Sequence, residues 1–227
     1  EFTVGGPEIN HLGCGWLRTP EGIEARILPK VVTKLLGMVP EGKKTSPRHE
    51  VKNATKVEGE DELDSKSQTR FRSLDGLSMF IALERPELQY AAKECSWGMF
   101  SPSEQDMKRL SRVIRFLRGH PCAVARMNPA QEESAITARA DSNWAEDPIG
   151  RKSTSCGQLL VNGAMIMQFV KARGAPALSS PEAEYNALAH VAIEARGALT
   201  FFKGLIGELV PITLESDNSS ALANAEN

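Results

Sequence analysis

Several things are scarce in this chain, and each shortage removes a class of function. Acidic and basic residues nearly cancel over its 227 residues, leaving a formal net charge of -2. The chain is therefore no polycation, and any nucleic-acid contact has to come from a local basic face. Only four cysteines are present, Cys14, Cys95, Cys122 and Cys156, with no C-x-x-C pair and no histidine at ligand spacing. Neither a zinc site nor a disulfide framework is expected, and a reducing compartment fits this usage better than an oxidising one. No run approaches 18 consecutive apolar residues, so no membrane span is expected. The N-terminus lacks the basic and apolar stretches of a signal peptide. It opens on Glu1 rather than methionine, which reads as part of a longer reading frame.

What is present suits a globular protein of one large or two small domains, with 41% hydrophobic and 25% charged residues. Residues 1–40 are glycine-rich, with a turn at Arg18–Ile23 between two short extended pieces and a short helix over Pro29–Met38. Residues 41–69 are rich in Lys, Glu, Ser and Thr and poor in large apolar groups, the composition of a linker or mobile loop. Helices are predicted over 71–83 and 86–97, separated at Arg85-Pro86. Ser101-Pro102-Ser103-Glu104 reads as a capping box with proline at the first helical position. Met107, Leu110, Ile114 and Leu117 then form one apolar face, ended by Gly119 and Pro121. Lys108, Arg112 and Arg115 share another face. This is a solvated surface or, beside a nucleic-acid enzyme, a face that tracks phosphates.

From Ser134 the period changes. Ile136, Ala138 and Ala140 alternate with Thr137, Arg139 and Asp141, as in a half-buried strand. Residues 157–161 and 164–170 are apolar runs joined at Asn162-Gly163, a strong hairpin signal. Ser179-Ser180-Pro181-Glu182 opens a long helix, and a strand at Pro211–Ser216 and a helix from near Ser219 follow. A helix crossing over between strands predicts that the last strand pairs parallel to an earlier one.

Three carboxylates fall where this order can gather them. Asp141 ends the first strand, Asp217 follows the last, and Glu184 lies in the first turns of the long helix. Glu184, Leu188, Val191, Ala195, Leu199 and Phe202 form one helical stripe, whereas Glu182 is turned about 200° from Glu184 and should face solvent. An acid on a buried stripe is costly unless compensated. A metal ion compensates converging carboxylates well, and oxygen ligands favour magnesium or manganese. Taken singly, the acids have plainer readings. Asp141 is a strand-end turn residue, Asp217 a helix cap with Asn218, and Glu184 a partner for the helix dipole.

Asp141-Ser142-Asn143-Trp144-Ala145, Arg151-Lys152-Ser153-Thr154-Ser155, Ala177-Leu178-Ser179-Ser180-Pro181-Glu182-Ala183-Glu184-Tyr185 and Ser216-Asp217-Asn218-Ser219-Ser220-Ala221 occur in that order. Together they resemble the successive motifs of the ribonuclease H domain of copia-type retrotransposon Pol polyproteins. Arg72–Gly76, Arg85–Leu88 and Arg115–Gly119 resemble the segment joining reverse transcriptase to ribonuclease H. Arg18–Ile23 and Val31–Leu36 are similar to the tail of the reverse transcriptase. The resemblance implies an α/β (mixed α+β) architecture, a ribonuclease H-like mixed sheet with flanking helices preceded by a mainly helical connection segment. It divides the chain into a reverse transcriptase tail at 1–40, a linker at 41–69, a connection segment at 70–121 and a ribonuclease H-like domain at 134–227.

It further implies cleavage of the RNA strand of RNA–DNA hybrids with Mg2+ or Mn2+ held by Asp141, Glu184 and Asp217. Lys108, Arg112, Arg115, Arg151 and Lys152 would touch nucleic acid. The implied partners are the hybrid and the rest of the Pol polyprotein, with no membrane, in a cytoplasmic particle or the nucleus. The chain departs from the pattern at Asn143, where a second Asp is frequent, and at Ser155-Cys156-Gly157, where Ser-Gly-aromatic is usual. It also stops at Asn227, before the family's last acidic position. The alternative expectation is therefore a degenerate, inactive relic that at most binds nucleic acid.

Overall fold

The computed structural model describes residues 8–11, 14–27, 29–40, 44–51, 62–127, 135–147, 149–207 and 210–226. The chain divides into two units, Glu1–Arg126 and Met127–Asn227. The three upstream segments drawn from the sequence therefore form one unit.

In the first unit, strands β1 (Glu8–His11), β2 (Cys14–Thr19), β3 (Gly22–Ile27) and β4 (Val124–Met127) form a sheet in that order. The β2–β3 hairpin turns at Pro20-Glu21, as the sequence suggested. β1 and β4 were not foreseen. Each has four residues with almost wholly exposed side chains, so neither shows the apolar alternation that marks a strand. Helix α1 (Pro29–Gly37) follows β3.

The expected linker needs correcting at both ends. Helix α2 (Ser65–Ala82) starts well before the apolar pattern does, because Asp64 caps it by accepting from the backbone N–H groups of Lys66 and Ser67. Its first turn is polar and buries nothing, so hydrophobic periodicity begins only at Phe71. Upstream, Val51 is buried, and the Ser46 N–H donates to the Arg115 carbonyl at 3.1 Å. Residues 41–43 and 52–61 of the linker lie outside the described residues.

A 3-10 turn at Pro86–Leu88 leads into α3 (Gln89–Ser96), and α4 (Glu104–Gly119) follows. The capping box sits two residues later than read. Ser103, not Ser101, is the cap; its hydroxyl accepts from the Asp106 N–H, and Asp106 Oδ2 accepts from the Ser103 N–H at 2.9 Å. Pro102 thus precedes the helix. Phe71, Leu74, Ile81, Leu88, Leu110, Ile114 and Leu117 make the core of these helices. Among them lies Asp75, fully buried, with neither carboxylate oxygen partnered. Burial and then the Asp106 charge push its acid up to about 7.

The second unit is a mixed sheet in the order β7-β6-β5-β8. Strands β5 (Ile136–Asn143), β6 (Thr154–Val161) and β7 (Ala164–Ala172) run antiparallel, and β8 (Ile212–Glu215) pairs parallel with β5. The β6–β7 turn falls on Asn162-Gly163, both at positive φ (50° and 76°), as a two-residue primed turn requires. Helix α5 (Ser180–Ile206) makes the crossover, and α6 (Ser219–Glu226) follows β8. Ile136, Ala138, Ala140, Leu159 and Phe169 bury one sheet face against Ala187, Leu188, Val191 and Ala195 of α5. Among the described residues, no helix is long and apolar enough to cross a membrane.

Gly157 sets how closely α5 approaches the sheet. A Cβ there would lie 2.5 Å from two Phe169 ring carbons and 3.2 Å from Val191 Cγ2. Gly157→Ala is therefore expected to destabilise this unit by about 1–3 kcal/mol through overpacking. The check is a urea titration, in which an unchanged midpoint would show that the ring yields freely.

Candidate metal centre

Parallel pairing gathers the acids. Because β5 and β8 run side by side in one direction, their C-terminal ends share one edge of the sheet. Asp141 lies near the end of β5 and Asp217 just past the end of β8, while the early turns of α5 carry Glu184 over the same edge. One carboxylate oxygen from each of Asp141, Glu184 and Asp217 lies within 4.8 Å of the others. The convergence expected from the sequence is what the structure has.

The plainer single-residue readings fall to neighbours. Glu182 is exposed and caps α5: its Oε2 accepts from the Leu178 N–H at 2.8 Å, while its own N–H donates to Ser179 Oγ. Asn218 Oδ1 accepts from the Ala221 N–H at 3.0 Å and so caps α6. Glu184 itself is 6% exposed. Helical periodicity thus separated the two glutamates correctly.

The cluster is electrostatically uncomfortable. Glu184 Oε2 is buried without a hydrogen-bond partner. Burial first, then the charges of Asp141 and Asp217, push the Glu184 acid up to about 7, against a smaller opposing pull from the Ser142 N–H. That same N–H donates to Asp141 Oδ1 at 2.8 Å. Three converging carboxylates, one of them buried with an unpartnered oxygen, fit a hard divalent cation in charge, donor type and reach.

Reasoning from sequence missed one neighbour. Cys156 is the cross-strand partner of Asp141, so both side chains rise from the same face. Its Sγ lies 3.5 Å from the Asp141 carbonyl oxygen and 3.7 Å from Asp141 Oδ2. Burial and the adjacent Asp141 push the thiol up to about 11. The only hint in the sequence was the unusual Ser155-Cys156-Gly157 run.

The basic residues divide between the units. Arg151 is exposed, with its guanidinium 5.5 Å from the centre of the Trp144 ring, and the Trp144 Nε1–H donates to the Ala177 carbonyl at 2.9 Å. Lys152 is half-buried. Lys108, Arg112 and Arg115 belong to α4 of the first unit, so the structure does not join them to the acids. Lys108 and Arg112 are exposed, and Arg115 Nε donates to the Lys44 carbonyl at 2.6 Å.

No family model matches the chain. It is 29% identical over 126 residues to the retrovirus-related Pol polyprotein from transposon RE1 of Arabidopsis thaliana, covering 56% of this chain and 8% of that protein. With the corresponding polyprotein from transposon RE2 of the same plant it shares 28% over 150 residues, covering 66% and 10%. An uncharacterised mitochondrial protein of Arabidopsis thaliana is 30% identical over 127 residues, covering 55% of this chain and 51% of its own length. The chain thus spans about a tenth or less of the two polyproteins. Among solved structures, a foamy viral protease–reverse transcriptase in complex with double-stranded DNA aligns over 97% of this chain and 32% of its own, with a TM-score of 0.51 and 14% identity. The mixed sheet with its flanking helices is thus a fold shared with that viral protease–reverse transcriptase, and the chain is similar to the retrovirus-related Pol polyproteins of transposons.

Proposed function

We propose that the second unit is a divalent-cation-dependent nuclease domain that cleaves the RNA strand of RNA–DNA hybrids. One observation carries this reading: three carboxylates from β5, α5 and the segment after β8 converge within 4.8 Å around a buried, unpartnered glutamate oxygen. Asp141, Glu184 and Asp217 would hold Mg2+ or Mn2+. When bound, such ions activate a water and stabilise the leaving oxygen in phosphodiester hydrolysis. The protein's own part is positional. The Ser142 N–H orients the Asp141 carboxylate, and α5 holds Glu184 at the sheet edge away from water. Arg151 and Lys152, in the loop between β5 and β6, and Lys108, Arg112 and Arg115 on α4 are the proposed phosphate contacts. The remainder of a Pol polyprotein, with its reverse transcriptase, is the proposed covalent context.

The test is cleavage of a labelled RNA–DNA hybrid with magnesium, comparing the wild type with Asp141→Asn. Loss of a ligand should lower the rate at least roughly 100-fold, more than loss of an outer-shell partner does. Equal background rates in the two proteins would sink the nuclease reading and leave the inactive relic in its place.

A further inference from the structure

We propose that Cys156 turns the carboxylate cluster into a mixed oxygen–sulfur site that also binds thiophilic divalent cations of the zinc and cadmium class. In this site Sγ is a ligand beside Asp141. Scattered cysteines exclude a zinc finger, but they do not exclude one thiol joining a set of acids that are far away in sequence.

The geometry is specific. Two ligands on a tetrahedral zinc, with Zn–S near 2.3 Å and Zn–O near 2.1 Å, are about 3.6 Å apart. Cys156 Sγ and Asp141 Oδ2 are separated by 3.7 Å. Their strands hold them there, since Asp141 and Cys156 are directly paired in the β5–β6 ladder. Glu184 supplies a second, independent sign of a missing ligand: it is 94% buried by its 6% exposure, and its Oε2 has no partner. Asp217 completes the three oxygens, which lie within 4.8 Å of one another, and the sulfur joins them through its contact with Asp141. Coordination through Sγ forms a metal–sulfur bond and releases the thiol proton to solvent, with no change in oxidation state. Soft thiolate favours zinc and cadmium over magnesium, so the site has two classes of occupant: hard cations on its oxygens alone, and soft ones that also recruit Cys156.

This inference rests on the cluster holding a cation, but not on its being a nuclease. The test uses the full chain as wild type, Cys156→Ser and Cys156→Ala, titrated with Cd2+, Co2+ and Mn2+. Wild type should show a thiolate-to-metal charge-transfer band with Co2+ or Cd2+ that both variants lack. Cd2+ affinity should fall at least about tenfold in both variants, while Mn2+ affinity changes by less than about threefold. Peptide-level alkylation gives a second readout. Saturating Cd2+ should slow alkylation of Cys156 about tenfold or more, leaving the exposed Cys122 as an unaffected internal reference.

Equal Cd2+ affinity in wild type and both variants, or alkylation of Cys156 at the same rate with and without Cd2+, overturns the proposal. If Mn2+ still binds in that case, the magnesium reading survives alone. If the thiolate band appears while Mn2+ binds no variant, the thiol site stands and the magnesium reading falls.

Discussion

Glu184→Gln should make the metal-free protein more stable at pH 8 while abolishing its stabilisation by magnesium or manganese. The two effects have one cause. In the folded protein the Glu184 acid is pushed up to about 7 by burial and by Asp141 and Asp217. An acid whose folded value lies above its unfolded value adds stability at low pH and loses it as pH rises through the folded value. The metal-free wild type should therefore weaken between about pH 4.5, the ordinary glutamate value, and about pH 7. The ceiling on that loss from this residue is about 3 kcal/mol. Glutamine keeps the shape and removes the charge, so its advantage should be largest at pH 8 and absent below about pH 5.

A cation reverses the comparison. Bound at a hundred times its dissociation constant, it would stabilise the wild type by about 2.7 kcal/mol, and its affinity should rise with pH through 7 as Glu184 gives up its proton. Thermal melts of both proteins at pH 5 and pH 8, with and without Mn2+, separate the two terms. A variant less stable than wild type at pH 8 without metal, or one that keeps the full Mn2+ shift, would contradict this picture of Glu184.

Asp75→Asn should flatten the pH dependence of the first unit in the same range, with no sensitivity to metal. Asp75 is fully buried on α2 with both oxygens unpartnered, and burial and the Asp106 charge push it up to about 7. Cys95 on α3, itself buried, adds no compensating cation, and Arg109 is engaged by Asp106 at 2.9 Å. The sign is the same as for Glu184: stability is present at low pH and lost as pH rises through about 7. Asparagine retains a buried amide, so only part of the penalty is relieved, about 2 kcal/mol at pH 8. Denaturation with saturating Mn2+, which silences the Glu184 contribution, isolates the effect. The same slope in wild type and variant would mean that Asp75 is not the titrating group.

The sequence carried the second unit well, and the reasons are physical. Its strands alternate, its hairpin has an Asn-Gly turn, and its long helix has a stripe, so patterns of period two and 3.6 were both visible. Those periods located Asp141 and distinguished Glu184 from Glu182. What escaped was information that lives between elements. Cys156 meets Asp141 only through the register of two strands, and register is not written in either strand alone. β1 and β4 escaped because exposed strands need no apolar alternation. The start of α2 escaped because a cap and a polar turn precede any buried residue. Asp75 lies one step beside Leu74 on the buried face of α2, so the helical period did include it. An acid in that place simply reads as surface until the packing is known.

The parallel pairing of β5 with β8 has a consequence for how the site comes into being. The β6–β7 hairpin closes on neighbouring residues, but β8 reaches β5 only after the whole of α5 has been laid across the sheet. Such a long-range pairing is slow and late, because the intervening loop must be ordered before the contact repays it. On a ribosome, Asp141 and Glu184 would emerge before Asp217, and until β8 docks the cluster lacks its third wall. Capture of a cation is then an all-or-none report that β8 has docked on β5. A pulse of Mn2+ during refolding should be taken up in step with the slowest phase and not with the hairpin.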